Sequence, residues 1–108
     1  MFIYYHNPRC SKSREGLKLL QSKRVHFTIK EYLKDPLTVE EVKTICHKLD
    51  KSPLEIVRQK EDIFKTLDPR GNWYQAIVEH PILLERPILV TEDKAVIGRP
   101  PEDLLKIL

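Results

Sequence analysis

The apolar positions fall into segments of clearly different period. Phe2 to Tyr5 are four consecutive apolar or aromatic residues and predict a short buried strand. Asn7-Pro8 ends it, because a residue before proline is pushed out of the helical region. From Ser11 to Ser22 the spacing becomes helical, with Leu17 and Leu20 on one face and Leu19 beside it. Gly16 interrupts that helix, a residue suited to close packing against a neighbouring strand. Val25 to Leu33 alternates, is rich in β-branched and aromatic residues, and predicts a second strand. A strand, helix, strand sequence of this length favours a parallel pair.

The middle of the chain is helical in pattern. Thr38 is placed to cap a helix whose first turn holds Glu40 and Glu41, with Val39, Val42, Ile45, Cys46 and Leu49 as its apolar stripe. Ser52-Pro53 starts a short helix, with the proline at the first helical position. Ile63, Phe64 and Leu67 belong to a further piece ended by Asp68-Pro69, and Asn72 to His80 predicts one more helix. Strand patterns return at Arg86 to Thr91 and Lys94 to Gly98, joined by a tight turn at Glu92-Asp93. Residues 99–108 close the chain as a helix with Glu102 and Asp103 in its first turn. The order is that of an α/β, thioredoxin-like domain: a mixed four-stranded sheet with a helical insertion at about 37–80, the whole chain 1–108 forming one domain.

Composition narrows this picture only a little. A chain of 108 residues supports one core without metal or disulfide staples. Its net charge of +3 suits a small anion, and no block of like charge marks a nucleic-acid tail. No apolar run approaches a membrane span and no signal-peptide pattern opens the chain, so the expectation is a cytoplasmic protein without membrane or nucleic-acid contacts. Cys10 and Cys46 are unlike a structural disulfide in that compartment, and the His and Cys spacing suits no metal.

Chemistry concentrates at Cys10. It lies where the first strand feeds the first helix, where free N–H groups and the helix dipole favour an anion. Arg9, Lys12, Arg14 and His6 stand near it in sequence, and thiols in such surroundings ionise readily. The same geometry would hold an oxyanion beside the sulfur. The bland alternative, a small buried apolar residue, suits the polar neighbours of Cys10 poorly; it suits Cys46, on an apolar stripe, well.

The run His6-Asn7-Pro8-Arg9-Cys10, followed by Ser13-Arg14, resembles the signature of the glutaredoxin-coupled arsenate reductases. "HPILLERPILV" resembles that family's segment before its third strand, and "GRPPEDLLKIL" its last loop and helix, so the likeness covers nearly the whole chain. Ser11 departs from the glycine usual in well-characterised members. The resemblance implies that Cys10 is the nucleophile that attacks arsenic and that His6 helps keep its thiol ionised. It implies further that Arg58, Arg86 and Arg99 hold the oxyanion and that the Arg86-Pro87 bond is cis. A single Arg in isolation reads equally as a solvated surface residue; three suit a tetrahedral dianion, which guanidinium groups bind in a bidentate way.

By resemblance, the chain is an enzyme that reduces arsenate to arsenite as a monomer, with no bound cofactor. Ser13 stands where a resolving cysteine would lie. Glutathione is therefore implied as co-substrate and glutaredoxin as the partner that clears the mixed disulfide. Two alternatives share the fold: a regulator of the Spx type that binds RNA polymerase, and a reductase of glutathione mixed disulfides. Spx-type proteins typically carry Cys-x-x-Cys, against which Ser13 argues.

Overall fold

Strand β1, Phe2–Tyr5, is an inner strand of a four-stranded mixed sheet. The computed structural model describes Met1–Leu108. The chain divides into two units: residues 1–35 with 86–108, and residues 36–85.

The sheet belongs to the first unit. β2, Phe27–Lys30, runs parallel to β1 in the register Phe2 with Phe27 through Tyr5 with Lys30. β3, Ile88–Val90, pairs antiparallel with the other edge of β1, setting Tyr4 against Leu89. β4, Ala95–Ile97, completes the sheet antiparallel to β3. β1 spans its sequence pattern, whereas β2, β3 and β4 are shorter than theirs. β1 offers β2 only four partners, and beyond Lys30 the carbonyl of Glu31 accepts the N–H groups of Lys34 and Asp35, which turns the chain. The β3–β4 turn closes at Thr91 and Lys94, whose N–H to O bond is 2.8 Å, leaving Glu92-Asp93 at the tip.

Helix α1, Ser11–Ser22, makes the crossover between β1 and β2 and buries Ser13, Gly16 and Leu20. It packs against the C-terminal helix, Pro101–Ile107, which is 3₁₀ in form. Pro100 at its cap and Pro101 at its first position lack donors, and its bonds run to the third residue back, as from Asp103 N–H to the Pro100 carbonyl at 3.0 Å. The core of this unit is Tyr4, Leu20, Leu89 and Leu104, with Phe2, Leu17, Phe27, Val96 and Ile107 around it. Gly16 sits where a Cβ would meet the Tyr4 hydroxyl and come within 2.8 Å of Leu104. That is the close packing its place in the sequence suggested.

The second unit is helical. α2, Val39–Leu49, begins with a full capping box: Glu41 N–H donates to Thr38 Oγ1 at 3.1 Å and Thr38 N–H to Glu41 Oε1 at 3.2 Å. It ends at Asp50, in the left-handed conformation. α3, Trp73–Glu79, is capped by the side chain of Asn72 and packs against α2. Between them the pieces at Pro53–Ile56 and Asp62–Thr66 are 3₁₀ turns, since each is too short to repay α-helix nucleation. Trp73 stacks on Phe64 with ring centroids 5.3 Å apart. An isolated antiparallel bridge joins Val57 to Leu84, flanked by bonds from Arg58 N–H to Leu83 O (2.7 Å) and from Glu85 N–H to Ile56 O (2.9 Å). Sequence periodicity gave no sign of so short a pairing. No helix is long and apolar enough to cross a membrane.

Candidate active site

The five residues between β1 and α1 are pinned by their own backbone. His6 N–H donates to Lys30 O at 2.9 Å, extending the parallel ladder one residue past β1. Asn7 then folds the loop on itself: its side-chain oxygen accepts Arg9 N–H at 3.0 Å and its carbonyl accepts Cys10 N–H at 3.0 Å. Cys10 is the N-cap of α1 in extended conformation, and its carbonyl accepts Arg14 N–H at 3.0 Å. The cap makes no side-chain bond of the Ser or Asp kind. The sulfur takes that place.

Burial acts first on Cys10 and pushes its thiol up, yet the net displacement is downward. Against burial stand the N–H of Ser13, a hydrogen bond from the Arg86 guanidinium, the N–H of Lys12 and the charge of Arg86. Arg99 adds a second guanidinium, its Nη1 4.0 Å from the sulfur and 2.9 Å from the Arg86 carbonyl. Arg86 is buried; Arg99 is exposed. The Arg86-Pro87 and Arg99-Pro100 peptide bonds are both cis. Arg14 is turned the other way, its Nη1 donating to the Pro8 carbonyl at 2.9 Å, and Lys12 Nζ lies 3.9 Å from Glu15. The charge on the sulfur is thus met by helix amides and by two arginines distant in sequence, more than by its sequence neighbours.

Beneath the loop lies a buried polar group whose hydrogen-bond network sequence reasoning did not foresee, although it named His6 as a site residue. His6, Asn7 and Ser13 are 5%, 2% and 0% exposed. His6 Nδ1 lies 2.7 Å from Ser13 Oγ, which also accepts Asn7 N–H at 3.0 Å. Tyr4 donates its hydroxyl to the Ser13 carbonyl at 2.7 Å and stacks on the His6 ring at 5.6 Å. Burial holds the Tyr4 phenol above its ordinary range and lowers His6 below its own, so the imidazole is uncharged near neutrality. A signal existed: Ser13 is a small residue three positions before Gly16 on the face α1 buries.

The Cys10 sulfur thus stands at the mouth of β1, with guanidinium groups from the loop before β3 and the loop after β4. The ArsC family model matches residues 5–107. The chain belongs to the ArsC family. An arsenate reductase of Haemophilus influenzae is 42% identical over 98% of this chain and 97% of the relative. The solved arsenate reductase of Vibrio cholerae superposes with a TM-score of 0.93 at 39% identity, covering 99% of this chain and 97% of that one. The similarity extends further out: the global transcriptional regulator Spx 2 of Bacillus anthracis is 27% identical over 100% of the chain and 87% of the regulator.

Within this ArsC-family chain the expected residues divide between the units. Cys10, His6, Arg86 and Arg99 belong to the first, where Arg86 and Arg99 meet the Cys10 sulfur and His6 meets Ser13. Arg58 belongs to the second unit, its Nε 3.1 Å from Glu61 and its Nη1 3.7 Å from Glu85. The bridge at Val57 and Leu84 sets Arg58 and Glu85 on facing strands of chain. Cys46, also in the second unit, is 3% exposed on the buried face of α2, and burial pushes its thiol up to about 11.

Proposed function

We propose that this protein reduces arsenate to arsenite through the Cys10 thiolate, with glutathione as co-substrate and glutaredoxin as the partner that restores the thiol. The observation that carries the reading is the sulfur of Cys10 at a helix N-terminus, facing two N–H groups and the guanidinium groups of Arg86 and Arg99. Such donors favour the thiolate before substrate arrives and an arsenate oxyanion once it binds. Arg58 is the third arginine of this proposal; reaching the anion requires it to exchange its carboxylate partners, Glu61 and Glu85, for arsenate oxygens.

The steps balance as follows. Cys10 thiolate forms a bond to arsenic while one arsenate oxygen leaves and is protonated to water, so arsenic stays As(V). The thiolate of glutathione then bonds to the Cys10 sulfur. The S–As bond breaks with its electron pair on arsenic, which departs as As(III), arsenite. The two sulfurs have together lost two electrons and form a mixed disulfide. A glutaredoxin thiolate takes the glutathionyl group and frees Cys10, and a second glutathione leaves with the first as its disulfide. External thiols are needed because Ser13 is no resolving group and Cys46 is a buried thiol that stays protonated at neutral pH. The chemistry fits a monomer in the cytoplasm, where glutathione is kept reduced.

The test is glutathione- and glutaredoxin-dependent NADPH oxidation, coupled through glutathione reductase, with arsenate as the oxidant. Wild-type protein is expected to sustain it and Cys10→Ser to reduce it to the rate without protein. Equal rates for the two proteins would remove Cys10 from the reaction. A second reading, polymerase binding without catalysis, draws on the similarity to Spx 2 along the whole chain. Retention of RNA polymerase by the immobilised protein, with no arsenate-dependent turnover, would favour it.

A further inference from the structure

We propose that Glu61 and Glu85 act as built-in competitors for the guanidinium of Arg58 and so set how tightly the protein takes a tetrahedral oxyanion. They hold off phosphate, whose shape and charge match those of arsenate, and they raise the arsenate concentration that binding needs. Arg58 is the third arginine of the reductase reading, on which the proposal rests.

The cluster is built from two short pieces of chain in the second unit. Glu61 lies one turn after Arg58: its N–H donates to the Arg58 carbonyl at 3.2 Å, and its Oε2 accepts Arg58 Nε–H at 3.1 Å. Glu85 arrives across the bridge between Val57 and Leu84. There Arg58 N–H bonds to the Leu83 carbonyl at 2.7 Å and Glu85 N–H to the Ile56 carbonyl at 2.9 Å. That pairing brings Glu85 Oε1 to 3.7 Å from Arg58 Nη1, an ion pair longer than a hydrogen bond. The side chains of Arg58, Glu61 and Glu85 are 23%, 26% and 25% exposed, so water reaches the cluster and the pairs can part.

Charge gives the cluster its effect. One guanidinium faces two carboxylates, so the formal sum is negative, and a dianion approaching Arg58 meets repulsion before it meets a donor. Glu61 also holds Nε, one of the donors through which a guanidinium grips an oxyanion in a bidentate way. Phosphate meets the same opposition as arsenate. Guanidinium groups do not distinguish the two tetrahedral anions, and the bond to sulfur forms only after the anion has bound. A weak first encounter therefore keeps the site from filling with phosphate. Replacing either glutamate by glutamine keeps its size and an acceptor oxygen, removes the charge, and leaves the backbone bonds of the bridge in place.

Two measurements decide it: steady-state turnover of arsenate with phosphate as inhibitor, and titration of the Arg58 Nε–H signal in the ¹H–¹⁵N spectrum with inorganic phosphate. Glu61→Gln and Glu85→Gln are each expected to lower the arsenate KM and the phosphate inhibition constant about threefold, as for partly exposed ion pairs. The double variant should lower both about tenfold, with kcat within about twofold of wild type. The Nε–H signal should respond to phosphate at correspondingly lower concentration. Glu85 precedes Arg86 in the chain, so its charge has a second route to the site; in an Arg58→Ala background the effect of Glu85→Gln should vanish. An unchanged or raised KM in the double variant, a gain that persists without Arg58, or an Arg58 signal that phosphate leaves unmoved in the double variant would overturn the proposal. Absence of arsenate turnover in the wild-type protein would overturn the reductase reading instead, and the phosphate titration then decides by itself. Should the double variant not fold, the two single variants decide.

Discussion

The chain contains two cysteines, each on a helix, with opposite chemistry. Cys10 caps the start of α1, partly exposed, and the amides of that helix together with Arg86 draw its thiol below its ordinary value against the opposing effect of burial. Cys46 lies near the end of α2 among Val42 and Ile45, where burial and the charge of Glu55 push its thiol up to about 11. At the start of a helix the dipole and free N–H groups welcome negative charge; toward its end the carbonyls repel it. Position along the helix and solvent access decide which thiol is lowered and which is raised. Residue type does not.

That contrast can be broken at several points. The largest expected effect is in reactivity: at neutral pH iodoacetamide should label Cys10 at least about a hundredfold faster than Cys46, whose thiolate fraction at a pKa of about 11 is on the order of one in ten thousand. Peptide mass spectrometry reads both sites in one sample, and comparable rates would end the distinction. Next, Arg99→Lys keeps the charge and removes the planar guanidinium whose Nη1 lies near both the sulfur and the Arg86 carbonyl. It should raise the KM for arsenate about tenfold while kcat changes less.

The pH dependence of stability should differ in sign between the two thiols. The folded-state pKa of Cys10 is depressed, so its contribution is full above the unfolded value of ~8.5 and is lost as pH falls through the folded value. Cys46 is raised, so its contribution is full below ~8.5 and is lost as pH rises toward about 11. Relative to wild type, the melting temperature of Cys10→Ser should therefore fall behind as pH rises from the acid side. That of Cys46→Ala should gain on wild type above pH ~8.5. Parallel curves would deny that either thiol is perturbed.

Smaller effects test the packing around each site. Gly16→Ala would gain helix propensity but drive a methyl into the Tyr4 hydroxyl and Leu104; a net loss of about 1–3 kcal/mol is expected in denaturant unfolding. Cys46→Ala at neutral pH should cost only about 1 kcal/mol, or ~4–8 °C in melting temperature, with arsenate turnover unchanged.

Much of this was legible in the residues. The periods of Phe2–Tyr5, Ser11–Ser22 and Val39–Leu49, with Thr38 as a capping residue, set those elements where the structure has them. A lowered thiol for Cys10 at the start of α1 was likewise expected, and the cis bond at Arg86-Pro87 was implied by the family resemblance. What was hidden depends on tertiary partners. Arg9, Lys12 and Arg14 are adjacent to Cys10 and seemed its natural field, yet Arg14 turns to Pro8 and the guanidinium groups come from Arg86 and Arg99. Ser13 reads as one more polar residue early in a helix, because its burial comes from β1 packing over it, which no local pattern encodes. The bridge at Val57 and Leu84 and the 3₁₀ turns are too short for periodicity to mark.

The separation between Cys10 and Arg99, 89 positions along the chain, bears on the life of the molecule before it is complete. A ribosome releases the cysteine early, when it is an ordinary thiol with an ordinary resistance to oxidants. Of the groups that lower its thiol, the amides of Ser13 and Lys12 follow it within three residues, whereas the guanidinium groups of Arg86 and Arg99 come last, with β3, β4 and the terminal helix. The full set of donors around the sulfur is thus assembled only when the sheet is complete.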